Sequence, residues 1–182
     1  MLQILAARLL KIWGWKATGS ETLQQLPKFV IAIGPHTSNW DFLVGILVRS
    51  AYGISKVRFL GKDSLFKPPF GFIFRALGGY PVNRQHHHNQ VDAYIQAFNE
   101  HAEFAIVIAP EGTRKKVDKL KTGFYFIAKG AAVPIIPTIM NYQTKSVDFG
   151  MPFYPSDDEK KDLDFLTNFF KNRPGKYPEL SF

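Results

Sequence analysis

The chain has 182 residues, a length that fits one domain with a buried core. Hydrophobic residues make up 46% of it and charged residues 21%, which excludes disorder as the main state, and the absence of cysteine excludes disulfides, thiolate catalysis and cysteine-ligated metals. The net charge of +8 favours an anionic partner, which can be nucleic acid, an acidic lipid headgroup or a phosphorylated substrate.

Residues 1–15 are apolar but are interrupted by Arg8 and Lys11, so no run is long enough to cross a bilayer, and no signal-peptide pattern is present. At helical spacing, one face of this segment carries Leu2, Leu5, Leu9, Ile12 and Trp13. This pattern is typical of a helix that lies in a lipid interface, and it also fits a first helix that packs on its own domain. We therefore expect residues 1–27 to be an amphipathic membrane-interface helix with its lead-in, followed by a single domain over residues 28–182.

Short apolar runs rich in β-branched residues alternate with helical patterns along the rest of the chain. The predicted strands are 29–34, 56–60, 104–109, 135–140 and 146–149. The predicted helices are 38–52, 70–77, 91–101, 123–129 and an amphipathic helix in the tail from residue 156. Gly78-Gly79 predicts a break. The alternation predicts a single α/β domain with a mostly parallel central sheet flanked by helices.

His36 and Asp41 follow the first predicted strand, where it gives way to a helix. Open α/β sheets commonly bind ligands at the carboxyl ends of their strands. A general-base histidine needs a partner that sets its tautomer, and an aspartate one helical turn further on can fold back to supply it. However, Ser38 to Asp41 also has the spacing of a capping box, in which Asp41 bonds the backbone at the helix start. The pair by itself does not decide between these interpretations.

Pro110-Glu111-Gly112-Thr113-Arg114 directly follows another predicted strand. The glycine lets the backbone approach a ligand closely, the threonine offers a hydroxyl, and Arg114 can bind a phosphate in bidentate fashion. Glu111 can bond a substrate hydroxyl or hold an arginine in position. An ordinary polar turn explains the same residues when they are taken alone.

Two further segments combine apolar residues with an arginine or with prolines. Residues 78–84 place a second arginine, Arg84, after an apolar stretch. The segment Val133-Pro134-Ile135-Ile136-Pro137 brackets an apolar dipeptide with two prolines, which favour an edge strand or the start of a strand.

Taken in order, these segments resemble the four motif blocks of the glycerolipid acyltransferase family, which includes the lysophosphatidic acid acyltransferases. His36 and Asp41 match its His-x4-Asp block, and Arg84 matches the arginine that closes its second block. Glu111 to Arg114 matches its Glu-Gly-Thr-Arg block, and Val133 to Pro137 matches its Val-Pro-Ile-x-Pro block. Four ordered blocks are far more specific than any one of them.

The resemblance implies a glycerol-3-phosphate acyltransferase-like fold and the transfer of a fatty acyl chain from acyl-CoA or acyl carrier protein to a lysophospholipid hydroxyl, such as that of 1-acylglycerol-3-phosphate. His36, oriented by Asp41, would be the general base. The acceptor phosphate would be bound by Arg84, Glu111, Gly112, Thr113 and Arg114. The acyl pocket, or the structure behind the site, would be formed by Val133, Pro134 and Ile135.

The resemblance further implies that the reaction needs no metal or cofactor beyond the acyl thioester as co-substrate, and that the protein binds an anionic membrane surface peripherally, on the cytoplasmic side. Three alternatives remain open. A hydrolase or thioesterase could use the same His36–Asp41 pair to activate water, and an acyltransferase could use a non-glycerol lipid acceptor. A basic lipid- or nucleic-acid-binding module is the third, but its nucleic-acid version is disfavoured because no RNA-stacking aromatic motif is present.

Overall fold

The structure is a computed structural model that describes residues 2–82 and 90–182. Its helices are α1 (Leu2–Trp13), α2 (Ser20–Gln25), α3 (Trp40–Ala51), α4 (Gly71–Ala76), α5 (Gln90–Glu100), α6 (Gly123–Gly130) and α7 (Glu159–Phe170), with short 3-10 helices at Asp63–Phe66 and Pro178–Leu180. Its strands are β1 (Lys16–Thr18), β2 (Lys28–Gly34), β3 (Val57–Lys62), β4 (Gly79–Val82), β5 (Phe104–Ile108), β6 (Ile135–Asn141) and β7 (Ser146–Phe149).

The strands form one sheet in the order β1-β7-β6-β2-β5-β3-β4. Neighbouring strands from β6 to β4 are parallel, whereas β7 runs antiparallel to β6 and parallel to β1. The prediction of a single α/β domain with a mostly parallel central sheet is confirmed. Because β6, β2 and β5 are adjacent and parallel, the segments that follow them meet at one edge of the sheet.

Helices cover both faces of the sheet. On one face, α5, α6 and α7 pack in a core that includes Ile106, Tyr125 and Ile135. On the other face, α1 packs against α3, and both cover side chains such as Met140 of β6 and Val147 of β7. Parallel strands buried on both faces have nearly continuous apolar sequences, which is why the sequence predicts β2 and β5 so directly.

Three short elements, β1, α2 and β4, are not predicted by the sequence patterns. β1 and α2 are too short to show a period. β4 begins at Gly79, where the glycine pair predicted only a break, and it lies at the edge of the sheet beside β3. Pro81 fits within it because an edge strand leaves one side of its backbone unpaired.

Pro137 departs from the expectation for a strand proline, since it is the third residue of β6, an interior strand. β7 pairs with β6 only from Thr138 onward, and an isolated bridge joins Ile135 to Phe153 just before the proline. Pro137 therefore falls between two pairings, where no N–H donor is needed. Its carbonyl still accepts a hydrogen bond from Gly150 N at 2.8 Å.

The N-terminal segment joins the same sheet through β1 and packs on α3 through α1. α1 buries Ala6 and Leu10. Its exposed apolar side chains include Leu2, Leu5, Leu9 and Ile12. The helix thus packs on the domain along one edge while most of its predicted apolar face stays exposed, and its role at a membrane interface stays a prediction. Within residues 2–82 and 90–182, no helix has both the length and the hydropathy needed to cross a bilayer.

Candidate active site

The candidate site lies at the carboxyl edge of the sheet, where the segments after β2, β5 and β6 meet. His36 follows β2, Glu111 follows β5, and Tyr142 is the first residue after β6. Since β2 lies between β6 and β5, the segment that carries His36 lies between the segments that carry Tyr142 and Glu111. His36 and Glu111 are predicted from the sequence, but Tyr142 is not.

His36 and Asp41 form a hydrogen-bonded pair, with His36 Nδ1 at 2.9 Å from Asp41 Oδ2. The aspartate side chain is 6% exposed and the histidine side chain 31% exposed. Asp41 Oδ2 also accepts hydrogen bonds from Thr37 N and Ser38 N, each at 3.0 Å. Asp41 Oδ2 therefore makes both the contact with the histidine and the backbone bonds expected of a capping residue. Pairing at Nδ1 leaves Nε2 as the ring nitrogen available to a substrate.

The other oxygen of this carboxylate, Asp41 Oδ1, accepts a hydrogen bond from the hydroxyl of Tyr142. The Tyr142 ring packs edge-on against Trp15, with ring centroids 5.0 Å apart. Burial, together with the acceptor carboxylate, raises the pKa of the Tyr142 hydroxyl, so it remains a protonated donor at neutral pH. The residue was missed because 101 positions separate it from Asp41, and only the adjacency of β6 and β2 could have indicated it.

Glu111 is 4% exposed, and its Oε2 accepts a hydrogen bond from the backbone N of His36 at 2.7 Å. Burial raises the pKa of the Glu111 carboxyl, and the hydrogen bond from His36 opposes part of that shift. The contact ties the segment after β5 to the segment that carries the histidine. Binding of the acceptor by Glu111 stays a prediction.

Gly112 allows the tight turn that follows. Its φ of 66° lies in the left-handed region, and a Cβ at this position would lie 2.7 Å from Lys121 Nζ. Gly112 N donates to Ala109 O at 3.0 Å, and Lys115 N donates to Thr113 Oγ1 at 3.3 Å. The turn leaves the Arg114 side chain exposed next to the histidine segment.

An open cavity of about 460 Å³ lies between this turn and the start of α3, and it is called the polar cavity below because most residues of its wall have polar side chains. Its wall is formed by Thr37, Ser38, Asn39, Trp40, Thr113, Arg114, Lys115, Tyr177 and Leu180. The C-terminal part of the wall is fixed by a hydrogen bond from Tyr177 N to Thr37 Oγ1 at 3.2 Å. Arg114 and Lys115 make this cavity suited to an anion.

A second cavity, of about 190 Å³, lies between α3 and the sheet and is almost wholly apolar. His36 and Asp41 form part of its wall, and the apolar part includes Ile33, Phe42, Phe59, Val107 and Phe149. Gly45 of α3 also lines it, and a Cβ at Gly45 would meet no atom within 4 Å. The cavity therefore reaches the backbone of the helix.

The remaining predicted residues lie elsewhere. Arg84 falls outside the described residues, so its place in a phosphate site stays a prediction. Val133 and Ile135 are buried in the core with α5, α6 and α7, and Pro134 O accepts a hydrogen bond from Val30 N at 2.9 Å. The described walls of the two cavities do not include these three residues. They lie in or beside the core behind the site, and a part in an acyl pocket stays a prediction.

The likeness to known proteins agrees with the motif order. Residues 15–141 match the family model described as Acyltransferase, and this range contains the four motif blocks. The chain belongs to the acyltransferase family. The family that the motifs resemble is thereby confirmed.

Two individual proteins define the likeness further. The chain is 32% identical over 116 residues to a 1-acyl-sn-glycerol-3-phosphate acyltransferase of Haemophilus influenzae, over 60% of this chain and 46% of that protein, so the match spans less than half of the relative. Its fold is similar to the crystal structure of the 1-acyl-sn-glycerophosphate (LPA) acyltransferase PlsC from Thermotoga maritima, with a TM-score of 0.62 over 92% of this chain and 74% of that chain. At 19% identity this second likeness shows the fold alone, and it confirms the predicted acyltransferase-like architecture.

Proposed function

We propose that this protein transfers a fatty acyl chain from a thioester donor to the hydroxyl of a lysophospholipid, with 1-acylglycerol-3-phosphate as the acceptor. The observation that carries the proposal is the His36–Asp41 pair between an apolar cavity and a polar cavity lined by cations. An acyl chain needs the first kind of space and a phosphorylated headgroup needs the second. Membership of the acyltransferase family supports the reaction class.

In the proposed reaction His36 is the general base. Asp41 holds the proton of the ring on Nδ1, so Nε2 accepts the proton of the acceptor hydroxyl as its oxygen attacks the thioester carbonyl. The new C–O bond forms, the C–S bond breaks, and the proton passes from the imidazolium to the leaving thiolate. Asp41 stabilises the imidazolium between these steps. Direct transfer fits a chain that has no cysteine to carry an acyl group.

Each substrate is assigned to one cavity. The acyl chain of the donor enters the apolar cavity, which places its thioester carbonyl beside His36. The acceptor phosphate binds in the polar cavity to Arg114, with help from Lys115 and Thr113. Arg84 would add a second guanidinium to this phosphate site. Glu111 holds the His36 backbone in place between the two cavities. Either acyl-CoA or acyl carrier protein can present the thioester.

A direct assay tests the reaction. Purified protein is mixed with 1-acylglycerol-3-phosphate and a labelled acyl-CoA or acyl carrier protein donor, and the products are separated by chromatography. We expect diacylated lipid and free thiol in equal amounts. Labelled free fatty acid without acylated lipid would instead identify a hydrolase, and acylation of a non-glycerol lipid alone would overturn the proposed acceptor.

The proposed site of action is the cytoplasmic surface of a membrane, to which the protein binds peripherally. The supporting feature is a set of exposed apolar side chains on α1 and near the starts of α3 and α4, together called the apolar surface: Leu2, Leu5, Leu9, Ile12, Phe42, Leu43, Phe70 and Phe72. Trp13 and Trp40 link α1 to α3, with ring centroids 5.3 Å apart. The exposed cations Arg8, Lys11 and Lys67 belong to the same segments and suit anionic lipid.

Vesicle flotation tests this surface. The double variants L5S/L9S and F70S/F72S should each release the protein from vesicles that contain phosphatidylglycerol. F165S is the matched control, because Phe165 of α7 is also exposed but lies outside the apolar surface. Equal flotation of all four proteins would exclude the surface as the membrane contact.

A further inference from the structure

The two oxygens of the Asp41 carboxylate have different partners. Oδ2 contacts His36 Nδ1 and accepts from Thr37 N and Ser38 N. Oδ1 accepts a hydrogen bond from the hydroxyl of Tyr142, the residue that directly follows β6. We propose that Tyr142 is a positioning residue for acyl transfer: its hydroxyl holds the Asp41 carboxylate in the orientation that keeps Oδ2 on His36 Nδ1. This inference rests on the function proposed above.

The carboxylate needs such an anchor because its own torsion does not fix the plane of the group. The terminal torsion of an aspartate is broad, so rotation short of a half-turn would carry both oxygens away from the ring nitrogen. The side chain is 6% exposed, and a buried carboxylate oxygen without a donor is costly. With the Tyr142 hydroxyl on Oδ1, one orientation satisfies both oxygens and pairs the histidine as well.

The fold sets the position of Tyr142 independently of Asp41. The residue directly follows β6, which pairs in parallel with β2, so its hydroxyl reaches the segment between β2 and α3. Its ring packs in a cluster with Trp15, Val44, Met140 and Val147. A phenylalanine at this position keeps that packing and removes only the hydroxyl.

The test compares Y142F with Y52F. Tyr52 packs against the same cluster and its hydroxyl accepts a hydrogen bond from Ala17 N at 2.9 Å, away from the His36–Asp41 pair. In Y142F we expect kcat to fall about 10- to 100-fold with both KM values within about twofold of wild type. Y52F should match the wild type in each respect.

A second readout does not depend on turnover. The Nδ1–H proton of His36 is observed by NMR in the wild type and both variants, and its signal should weaken through faster exchange with water in Y142F alone, because the carboxylate that binds it is held less firmly. A wild-type kcat and a wild-type Nδ1–H signal in Y142F would overturn the inference, and so would equal changes in Y52F, which would indicate a structural role. If the wild type transfers no acyl chain, the proposed function fails, while the NMR comparison still decides whether Tyr142 acts on the pair.

Discussion

The two cavities beside the His36–Asp41 pair differ in what builds them. The apolar cavity is walled by α3 and by strands of the sheet, whose side chains are fixed by packing. The polar cavity is walled by the turn after β5, the start of α3 and the C-terminal segment at Tyr177. Under the proposed function, regular elements would determine which acyl chain fits, whereas loops would determine which headgroup is accepted. The C-terminal wall lies beyond residues 15–141, the part that matches the family model.

Substitutions of His36 and Asp41, which lie between the cavities, should have the largest effect on activity. His36→Ala and Asp41→Asn should lower kcat about 10³-fold or more, because the base is lost in one case and its tautomer is no longer set in the other. Both cavities remain, so calorimetric titration should still detect donor and acceptor. Full activity of H36A would exclude the proposed base.

A change in the polar cavity should affect the acceptor alone. Arg114→Ala removes a charged donor to the phosphate and should raise the acceptor KM about 10- to 100-fold, with the donor KM unchanged. Lys119→Ala is the control, since Lys119 is exposed on the same segment but does not line this cavity. Initial rates over both substrate concentrations decide the outcome, and an effect on the donor alone would reverse the assignment of the cavities.

A change in the apolar cavity should affect the donor alone. Gly45→Leu puts a side chain into open space without meeting another atom at its Cβ, so the helix is kept while the cavity is filled. We expect kcat/KM for a palmitoyl donor to fall about tenfold relative to a decanoyl donor. Gly45→Ala should leave this ratio close to wild type and raise the unfolding free energy by about 1 kcal/mol, because it removes a helical glycine. An unchanged chain preference in G45L would contradict the assignment.

The smallest effect is expected for Glu111→Gln, which replaces the carboxylate that holds the His36 backbone by a neutral amide and is measured as a change in stability. Burial raises the pKa of its carboxyl, so the folded protein binds a proton at higher pH than the unfolded chain does. Wild type should therefore lose stability relative to Glu111→Gln as pH rises from the ordinary carboxyl pKa through the raised one. Urea unfolding at several pH values measures this difference, and the hydrogen bond to His36 N contributes little to it because the amide oxygen of glutamine can still accept. A difference that is constant with pH would contradict the raised pKa.

Asp41 illustrates how far local reasoning reaches. Its spacing from His36 and from Ser38 allowed a hydrogen bond to the histidine or a backbone bond, and the structure has both on Oδ2. Local spacing correctly indicated each contact, since all of these residues lie within one turn of the start of α3. What it could not indicate is that the interactions share one oxygen and that Tyr142 contacts the other.

The sequence by itself determined the α/β class, most of the strands and helices, the four ordered motif blocks and, through them, the family. These features depend on the period of apolar residues and on short spacings, which are local properties of the chain. Only the tertiary structure decided that β6 and β5 flank β2, and hence that Tyr142 and Glu111 contact the His36–Asp41 segment. It also decided the two cavities, because strand order and helix packing join residues far apart in sequence, and no local period records which strands become neighbours.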